Sequence, residues 1–573
     1  MYGLWGVGLS ALVVAAACSD ESNGSTASST SGSSSSGAGS SGTAGAGGSG
    51  GQGGSGGGSM AQPKLLVGVG KQDISPTIVE SEWQDLNNNK YWEANEPFTD
   101  TNNNGKFDAT WMAGFGNGRP ATKIHDAPEV RAIALSVDGK TVVICVLDAV
   151  GYFIDEIERI KMDPVVMALA IDHLVVGSTH SHEGADTVGL WGPDPMVSGL
   201  NPDYQKLTRD KAALAIQEAV NSLKPAKMRI AQALPLDNPN EPDPAKQTTL
   251  SYVNDTRDPV IYDPALTIAQ FSDEADPSKT IATLVNWAAH PEYAGSKNNE
   301  ITADFVYWLR SSIEGGIASA GLAGLGGTTV YVQGPLGGQV GPGGVTPIDA
   351  NGMPVTSAGL PKAEAVGTNV AKLALEALSK SGEDAMSNEL VFRTQELEAK
   401  VENVGYHYAF LVFNLFDRQL HGFDPAMPIS ESNMPSLKSR ISYVQVGPLA
   451  MITSPGELHP ELWVGGYDGS WSWGQPTFDG ALANKPDPAL APKAPYLREI
   501  MLSNPGVKYA FTAGLAEDFI GYIVPAYNYV LDAQNPYLVD AQGDHYEETN
   551  SIGPLVEEQI QHPMMDLAKP PAP

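Results

Sequence analysis

The chain of 573 residues is too long to fold around one small core, which predicts one large domain with insertions or several domains. Its 66 acidic and 34 basic residues give a formal net charge of −32, which argues against nucleic acid and anionic lipid as partners and is compatible with bound cations. The two cysteines, Cys18 and Cys145, provide no disulfide framework.

The first segment is typical of an exported protein. Residues 1–17 are similar to a bacterial lipoprotein signal peptide, with an apolar run that ends in small residues directly before Cys18. The run is shorter than a membrane-spanning helix and no Lys or Arg precedes it, so an ordinary secretory signal is the alternative. We expect an extracytoplasmic protein that is either secreted or held on a bacterial cell surface or in the periplasm by an acyl chain on Cys18.

The next segment, 19–61, consists almost wholly of Ser, Gly, Ala and Thr. Such a composition buries too little apolar surface to offset the entropy of the chain, which predicts a flexible tether. The folded body is therefore expected over 62–573.

An Asn-rich insertion at 85–111 contains two segments with the spacing of calcium-binding loops. The first places side-chain oxygens at positions 1, 3, 5, 9 and 12 of a twelve-residue loop, whereas the second has Trp111 at position 12. Structural Ca²⁺ is one interpretation, and a solvated Asn-rich turn is the other. The candidate ligands are Asp85, Asn87, Asn89, Glu93, Glu96, Asp100, Asn102, Asn104 and Asp108.

Beyond the insertion, apolar strand-like segments alternate with amphipathic helices. The pattern predicts a hairpin over 130–150, a strand from His173, helices over 153–162, 203–223, 303–315 and 362–381, and further strands within 280–292, 328–338, 441–461 and 508–526. This alternation predicts an α/β (α+β) fold in which a mixed β-sheet core with flanking helices forms a single large domain.

The segment His173–Glu183 carries the main chemical signal of this body. Its β-branched run ends in Gly-Ser-Thr and presents His180 and His182 one residue apart. Residues i and i+2 share a face of an extended strand, so both imidazoles would project into one cavity at the strand end. Imidazole nitrogen suits Zn²⁺, whereas a pair of hydrogen-bonded loop histidines is the alternative.

Three other strand-like segments also end in a side chain that suits a metal ion. His290 follows N-W-A-A and precedes a proline, Glu457 ends S-P-G-E, and Tyr522 follows G-L-A-E-D-F-I-G. Taken singly, each has an ordinary structural explanation, namely a cap for His290, a surface carboxylate for Glu457 and core packing for Tyr522.

In their order along the chain, these motifs resemble those of one family, the neutral/alkaline non-lysosomal ceramidases. STHSHEG is similar to the family's T-H-T-H-S-G, NWAAHP to N-W-F-A-x-H-P, SPGE to P-G-E, and GLAEDFIGYIVP to G-L-x-N-x-Y-x-x-Y-x-T. The resemblance implies one catalytic Zn²⁺ with His182 beside the water molecule that the metal activates. The implied zinc ligands are His180, His290, Glu457 and Tyr522.

Two further segments resemble the family, and a third segment, which contains Gly341, departs from it. Asn254–Pro259 is similar to N-R-S-P and His545–Glu547 to R-Y-E, which implies that Arg257 lines the active site and that Tyr546 faces the substrate carbonyl. Gly341 stands where the family has the serine assigned as nucleophile. The chain ends soon after the second segment, so the family's separate C-terminal β-sandwich is not expected.

The resemblance implies a zinc-dependent hydrolase that cleaves an amide, by default the N-acyl bond of a ceramide-like lipid, through metal-activated water. His182 would act as general base or acid, and Tyr546 or Arg257 would stabilise the oxyanion. Because Gly341 replaces the serine, another amide or an ester is an alternative substrate. A non-catalytic surface binding protein and a calcium-dependent adhesion module are the alternatives of other classes.

Overall fold

The computed structural model describes residues 64–234, 247–255, 257–339, 344–473 and 483–570. The predicted signal peptide, Cys18 and the tether lie outside the described residues, as do Gly341 and Thr256. Within the described ranges, no helix is both long and apolar enough to cross a membrane.

The strands alternate with helices along the chain and include several two-residue ladders. They are β1 (Leu66–Asp73), β2 (Lys123–Ile124), β3 (Glu129–Val137), β4 (Lys140–Leu147), β5 (His173–Ser178), β6 (Lys224–Ala233), β7 (Leu266–Asp273), β8 (Thr280–Trp287), β9 (Glu300–Ile301), β10 (Gly316–Ile317), β11 (Leu322–Ala323), β12 (Thr328–Gln333), β13 (Glu383–Asp384), β14 (Leu390–Lys400), β15 (Ser436–Val446), β16 (Leu449–Thr453), β17 (Glu457–Leu458), β18 (Tyr509–Ala513) and β19 (Tyr522–Ile523).

In the described part of the chain, the four predicted amphipathic segments form helices whose ends lie within two residues of the prediction, whereas the other helices were not predicted. The helices are α1 (Ile154–Lys161), α2 (Pro164–Met167), α3 (Pro202–Asn221), α4 (Phe305–Gly315), α5 (Leu360–Ser381), α6 (Val404–Leu411), α7 (Pro460–Val464), α8 (Leu497–Leu502) and α9 (His562–Ala568). Single 3₁₀ turns occur at Thr249–Tyr252, Ala318–Ala320, Glu431–Asn433, Pro488–Leu490 and Ala526–Asn528, and a π turn at Glu557–Gln561.

A large mixed sheet forms the centre of the fold. Its strand order is β12-β8-β7-β6-β1-β3-β4-β5, and β13 pairs with β6. β12 is parallel to β8 and β4 is parallel to β5, whereas the other neighbours are antiparallel. The expected α/β (α+β) class with a mixed sheet and flanking helices is thereby confirmed.

A second sheet, in the order β14-β15-β16-β18, packs face to face against the first. Buried Ile133 and Phe271 of the large sheet share one core with Val444, Met451 and Phe511 of the second sheet. Helix α3 covers β1 and β3, α5 covers β6, and α8 and α9 pack on the second sheet. The result is four layers, with helices outside two sheets, because each sheet has two apolar faces to bury.

Close packing of α3 on β1 explains the glycines of the first strand. A Cβ at Gly68 would lie 2.1 Å from the carbonyl oxygen of Ala219, and one at Gly70 would lie 2.1 Å from that of Ala215. The backbone of α3 therefore lies so close to β1 that only glycine, which has no Cβ, fits at these two positions. Asn201 caps the helix by accepting hydrogen bonds from the first-turn amides.

The two sheets meet where the carboxyl ends of several strands lie together. The amide of Ser178, at the end of β5, donates to the carbonyl of Leu515 at 3.0 Å, and the amide of Gly514 donates to that of Gln333 at 2.9 Å. The Asn286 side-chain amide donates to the carbonyls of Val332, Gln333 and Thr512. The ends of β5, β8 and β12 are thus joined to that of β18, and the loops after them converge.

Replacing Phe271 by alanine tests the packing between the sheets. The side chain is fully buried in the shared core, so Phe271→Ala is expected to lower the free energy of unfolding by about 3–5 kcal/mol. Met386→Ala, at a residue 84% exposed, is the control and should change it little. Urea denaturation followed by circular dichroism measures both, and equal shifts would contradict a shared core.

Candidate metal centre

Four buried side chains with metal-ligating atoms meet at this edge of the two sheets. His180 lies two residues beyond β5, and His290 lies three residues beyond β8. Glu457 and Tyr522 open β17 and β19, which pair in parallel with these two residues as direct register partners. The fold therefore brings together the four residues that the family resemblance implies as zinc ligands.

The ligand atoms have the spacing that a tetrahedral ion requires. The Oε2 atom of Glu457 lies 3.1 Å from Nε2 of His290 and 3.4 Å from Nε2 of His180. The phenol oxygen of Tyr522 lies 3.3 Å from Nε2 of His290. Neighbouring ligands around a tetrahedral Zn²⁺ with bonds of about 2.0 Å lie about 3.3 Å apart, so the observed set fits such an ion.

The Nδ1 atoms of His180 and His290 each donate a hydrogen bond to a backbone carbonyl, so each Nδ1 carries a proton. Nδ1–H of His180 donates to the carbonyl of Val150 at 2.6 Å, and Nδ1–H of His290 donates to that of Gln339 at 3.0 Å. With Nδ1 bound to a backbone carbonyl, Nε2 of each ring is the nitrogen that faces Glu457 and is the one available to a metal ion. This arrangement of a ligating histidine and a backbone acceptor is typical of metal sites.

The charges within the cluster favour an anionic Glu457. Burial alone would raise the pKa of its carboxyl group, but the charge of His180 and the hydrogen bonds with His180 and His290 hold that pKa well below the usual range. For His290, the opposing effect of burial is outweighed by the Glu457 hydrogen bond and the nearby carboxylates, so its pKa is raised. An ionised carboxylate inside the protein thus requires positive charge at its position.

His182 completes a group of three imidazoles with His180 and His290, whose ligand atoms all lie within 4.8 Å of one another. Its Nε2 lies 3.2 Å from Nε2 of His180. Burial and then the charges of His180 and His290 lower the pKa of His182 well below its ordinary value, so the ring is neutral. On its other side, Nδ1 lies 3.5 Å from the Glu292 carboxylate.

The path of the chain through the H-x-H motif differs from the prediction. Strand β5 ends at Ser178, and His180 has a φ of +66°, in the left-handed region, so the motif is not an extended strand. The two rings converge because of this turn and not because of strand alternation. Gly114 makes room for the second ring, since its own Cβ would lie 2.3 Å from that of His182.

An open cavity with about 510 Å³ of empty space, mouth included, adjoins the cluster. Tyr546 lines it, and its phenol oxygen lies 3.2 Å from that of Tyr522. Leu190, Trp191 and Phe519 form an apolar wall. The cavity therefore presents a reactive polar end and an apolar surface for an alkyl or acyl group.

Arg257 lies apart from the cavity lining and is held by two glutamates. Its Nη1 donates to Glu547 at 2.8 Å, and its Nη2 donates to Glu548 at 2.7 Å and to the carbonyl of Asn528 at 2.7 Å. The guanidinium is buried and fastens the segment that directly follows Tyr546. Arg257 thus binds the two residues that directly follow Tyr546 and is not among the described residues that line the cavity.

Three residues that contact the cluster were not predicted from the sequence. Glu292 faces His182, the carbonyl of Gln339 accepts a hydrogen bond from His290, and the carbonyl of Val150 accepts one from His180. Gln339 is also the last described residue before the segment that contains Gly341. Only the position of Glu292 two residues after His290 could have suggested a role.

The two Asn-rich loops have the same internal arrangement. In the first, Oε1 of Glu93 accepts from the side-chain amides of Asn87 and Asn89 at 3.1 and 2.6 Å. In the second, Asp108 accepts in the same way from Asn102 and Asn104. Glu96, at position 12 of the first loop, is buried and accepts from two loop amides.

Glu80 takes the place of the missing position 12 in the second loop. Its Oε1 accepts from the amide of Thr101 at 2.8 Å and its Oε2 from that of Asp108 at 2.7 Å. Glu96 makes the equivalent two contacts, to the amides at positions 2 and 9, in the first loop. The carboxylate absent from the second loop is thus supplied from upstream in the chain, where the loop pattern cannot indicate it.

Two solved structures are similar to this chain over most of its length. The crystal structure of neutral ceramidase from Pseudomonas aeruginosa has a TM-score of 0.57 and 13% identity, and the match covers 88% of this chain and 74% of that one. A ceramidase complexed with C2 has a TM-score of 0.56 and 13% identity, covering 88% and 75%. No protein-family model and no curated protein matches the chain. The resemblance to neutral ceramidases is therefore confirmed as a likeness of fold.

Elemental analysis of the purified full chain tests the metal centre. About one zinc per chain is expected, and His290→Ala should remove it because the substitution deletes a buried ligand. His407→Gln is the control, since this half-buried histidine contacts the carbonyl of Val401 outside the cluster, and it should keep the zinc. A wild-type chain without bound metal would contradict the assignment.

Proposed function

We propose that the chain is a zinc-dependent hydrolase that cleaves an N-acyl amide bond. The observation that carries the proposal is the buried set of His180, His290, Glu457 and Tyr522, spaced for a tetrahedral ion at the end of a cavity with an apolar wall. The neutral imidazole of His182 and the phenol of Tyr546 lie directly beside this set. The likeness to ceramidase structures supports the same chemistry.

A bound zinc ion would supply Lewis acidity, which lowers the pKa of water towards about 7 and polarises a carbonyl oxygen. The chain's own proton acceptor is His182, whose neutral Nε2 faces the cluster. Glu292 lies at the opposite nitrogen, where a carboxylate orients the ring and stabilises it once it has accepted a proton. His182 would then deliver this proton to the leaving nitrogen.

The phenol of Tyr546, which lines the cavity beside Tyr522, would donate to the oxygen of the scissile carbonyl as negative charge develops there. Its position depends on Arg257, which binds the carboxylates of the next two residues, Glu547 and Glu548. We therefore propose Tyr546 as the oxyanion donor and Arg257 as its positioning residue. Neither role involves the loop that contains Gly341.

The apolar wall of the cavity favours a substrate with an alkyl or acyl chain. The two similar structures are ceramidases, which supports a ceramide-like N-acyl lipid. An ester of the same shape fits the same residues, and Gly341 in place of the family serine keeps it as the second candidate. A surface location, with an acyl chain on Cys18, would bring the cavity close to lipid substrates.

Hydrolysis of a fluorogenic N-acyl amide and of the matching ester tests the proposal. His182→Ala is expected to lower kcat about 10²–10⁴-fold and Tyr546→Phe about 10²–10³-fold, with zinc content retained in Tyr546→Phe. Tyr408→Phe, at a partly exposed helical residue, is the matched control and should keep full activity.

One result would contradict the hydrolase, and another would contradict only the proposed roles of Tyr546 and Arg257. A zinc-loaded chain that turns over neither the amide nor the ester would favour the non-catalytic binding protein. Full activity of Tyr546→Phe would remove the phenol from the chemistry and leave Arg257 without the proposed role.

We further propose that the two Asn-rich loops bind structural Ca²⁺, with Glu96 completing the first loop and Glu80 the second.

Millimolar CaCl₂ should raise the midpoint of thermal unfolding, because an ion that binds only the folded chain stabilises it. Glu80→Gln should reduce this increase, whereas Glu82→Gln, at an exposed neighbour, should not. Turnover per folded molecule should stay constant, and a loss of turnover would show that the loops serve the chemistry directly.

A further inference from the structure

A buried arginine lies behind the turn that carries the two histidines. Arg119 is 1% exposed and is not among the described residues that line the cavity at the metal centre. Its Nη1 donates to Oε2 of Glu183 at 3.2 Å, and both side chains are buried. Glu183 also accepts from the side-chain amide of Asn298 at 2.8 Å. The guanidinium is thus held in a fixed place, although no step of the proposed hydrolysis uses it.

The second terminal nitrogen of this guanidinium joins two loops. Nη2 of Arg119 donates to the carbonyl of Ala113 and to that of His182. The two loops pack against each other, since the amide of Ala113 donates to the carbonyl of Gly184 at 3.0 Å. A Cβ at Gly114 would lie 2.3 Å from that of His182. One planar side chain therefore connects the backbone that bears His182 to the loop that faces its ring.

Both loops contain a residue in the left-handed region. The φ angle is +66° at His180 and +97° at Gly114. A histidine rarely adopts this conformation, which persists only where the surrounding contacts hold it. Arg119 provides such contacts, because it binds the carbonyl directly before Gly114 and the carbonyl two residues after His180.

The same guanidinium also supports the ring of His182. Its Cζ lies 4.7 Å from the centre of the Phe115 ring, and that ring meets the imidazole of His182 edge-on, with ring centres 5.3 Å apart. A cation over an aromatic face and an edge-to-face ring pair are both attractive arrangements. Glu292 lies at Nδ1 of the imidazole, whereas Arg119 acts on the backbone of His182 and, through Phe115, on the side of the ring.

We propose that Arg119 is a positioning residue for His182 and holds its imidazole where Nε2 accepts the proton during hydrolysis. The inference rests on the proposed function, in which His182 is the proton acceptor. Arg119 acts through three acceptors, the carboxylate of Glu183 and the carbonyls of Ala113 and His182. The planar guanidinium serves all three from one fixed orientation, and the compact ammonium of a lysine does not reproduce this geometry.

Arg119→Lys keeps the charge and tests the geometry. In the full chain, with the fluorogenic N-acyl amide as substrate, it is expected to lower kcat about 10²-fold, because a displacement of about 1 Å in a reactive group costs a factor of this size. KM and zinc content should remain those of the wild type. Arg229→Lys, at a partly exposed arginine 3.0 Å from Asp384, is the matched control and should keep full activity.

A double variant distinguishes positioning from a general contribution to the fold. If Arg119 acts through His182, Arg119→Lys should change kcat less than about threefold in a His182→Ala background. The same loss of about 10²-fold in both backgrounds would overturn the proposal, and so would a raised KM at unchanged kcat. Phe115→Leu removes the ring contact and should lower kcat several-fold. If Arg119→Lys fails to fold, unchanged kcat in Phe115→Leu would overturn the proposal instead.

A measurement without turnover separates this inference from the hydrolase. In a chain labelled with ¹³C at Cε1 of its ten histidines, the NMR signal of His182 is identified by its loss in His182→Ala. This signal should shift or broaden in Arg119→Lys, while that of His407, which lies outside the cluster, should stay unchanged. An unchanged His182 signal would overturn the proposal. A wild-type chain that is inactive despite a shifted signal in Arg119→Lys would contradict the hydrolase and not the positioning.

Discussion

The buried carboxylate of Glu457 is the constraint on which the rest of the structure depends. An ionised carboxylate in the interior is costly unless positive charge or hydrogen bonds surround it. Here Nε2 atoms from two strand-end loops of the large sheet face a carboxylate of β17, which follows β16 of the second sheet in the chain. The pairing of β17 with β19 places Tyr522 beside it. The two sheets must therefore keep one fixed relative position at this edge. This is why so many buried polar contacts are concentrated there.

A second layer of contacts holds the reactive side chains in place. Backbone carbonyls fix the histidines, Glu292 faces His182, and the ion pairs of Arg257 fasten the segment after Tyr546. These groups are buried, so removing one partner would leave another charge or donor unsatisfied. In the proposed hydrolase, these contacts would hold the side chains in place before substrate enters, which is the condition for electrostatic stabilisation of a developing charge.

The predictable parts of this molecule are those that depend on local pattern. Apolar periodicity located α1, α3, α4 and α5 to within two residues, and the hairpin of β3 and β4 followed from its turn. The ligand set came from the resemblance, whereas the left-handed turn at His180 did not follow from strand alternation. Glu80 reaches its partners only through the tertiary fold, and no spacing rule could indicate it, whereas for Glu292 the only sequence signal is its position two residues after His290. The division into two sheets likewise depends on long-range packing.

The fold is similar to that of a ceramidase structure at 13% identity, so the likeness is one of architecture and not of sequence. A fold alone does not fix a substrate, because specificity depends on the side chains that line the cavity. In this chain those side chains come from connections: Leu190 and Trp191 lie between β5 and α3, and Phe519 lies between β18 and β19. Connections accept substitutions that a packed sheet does not. The polar end of the cavity is therefore set by the sheets, and in the proposed hydrolase the choice of acyl group and of leaving group would be set by these loops.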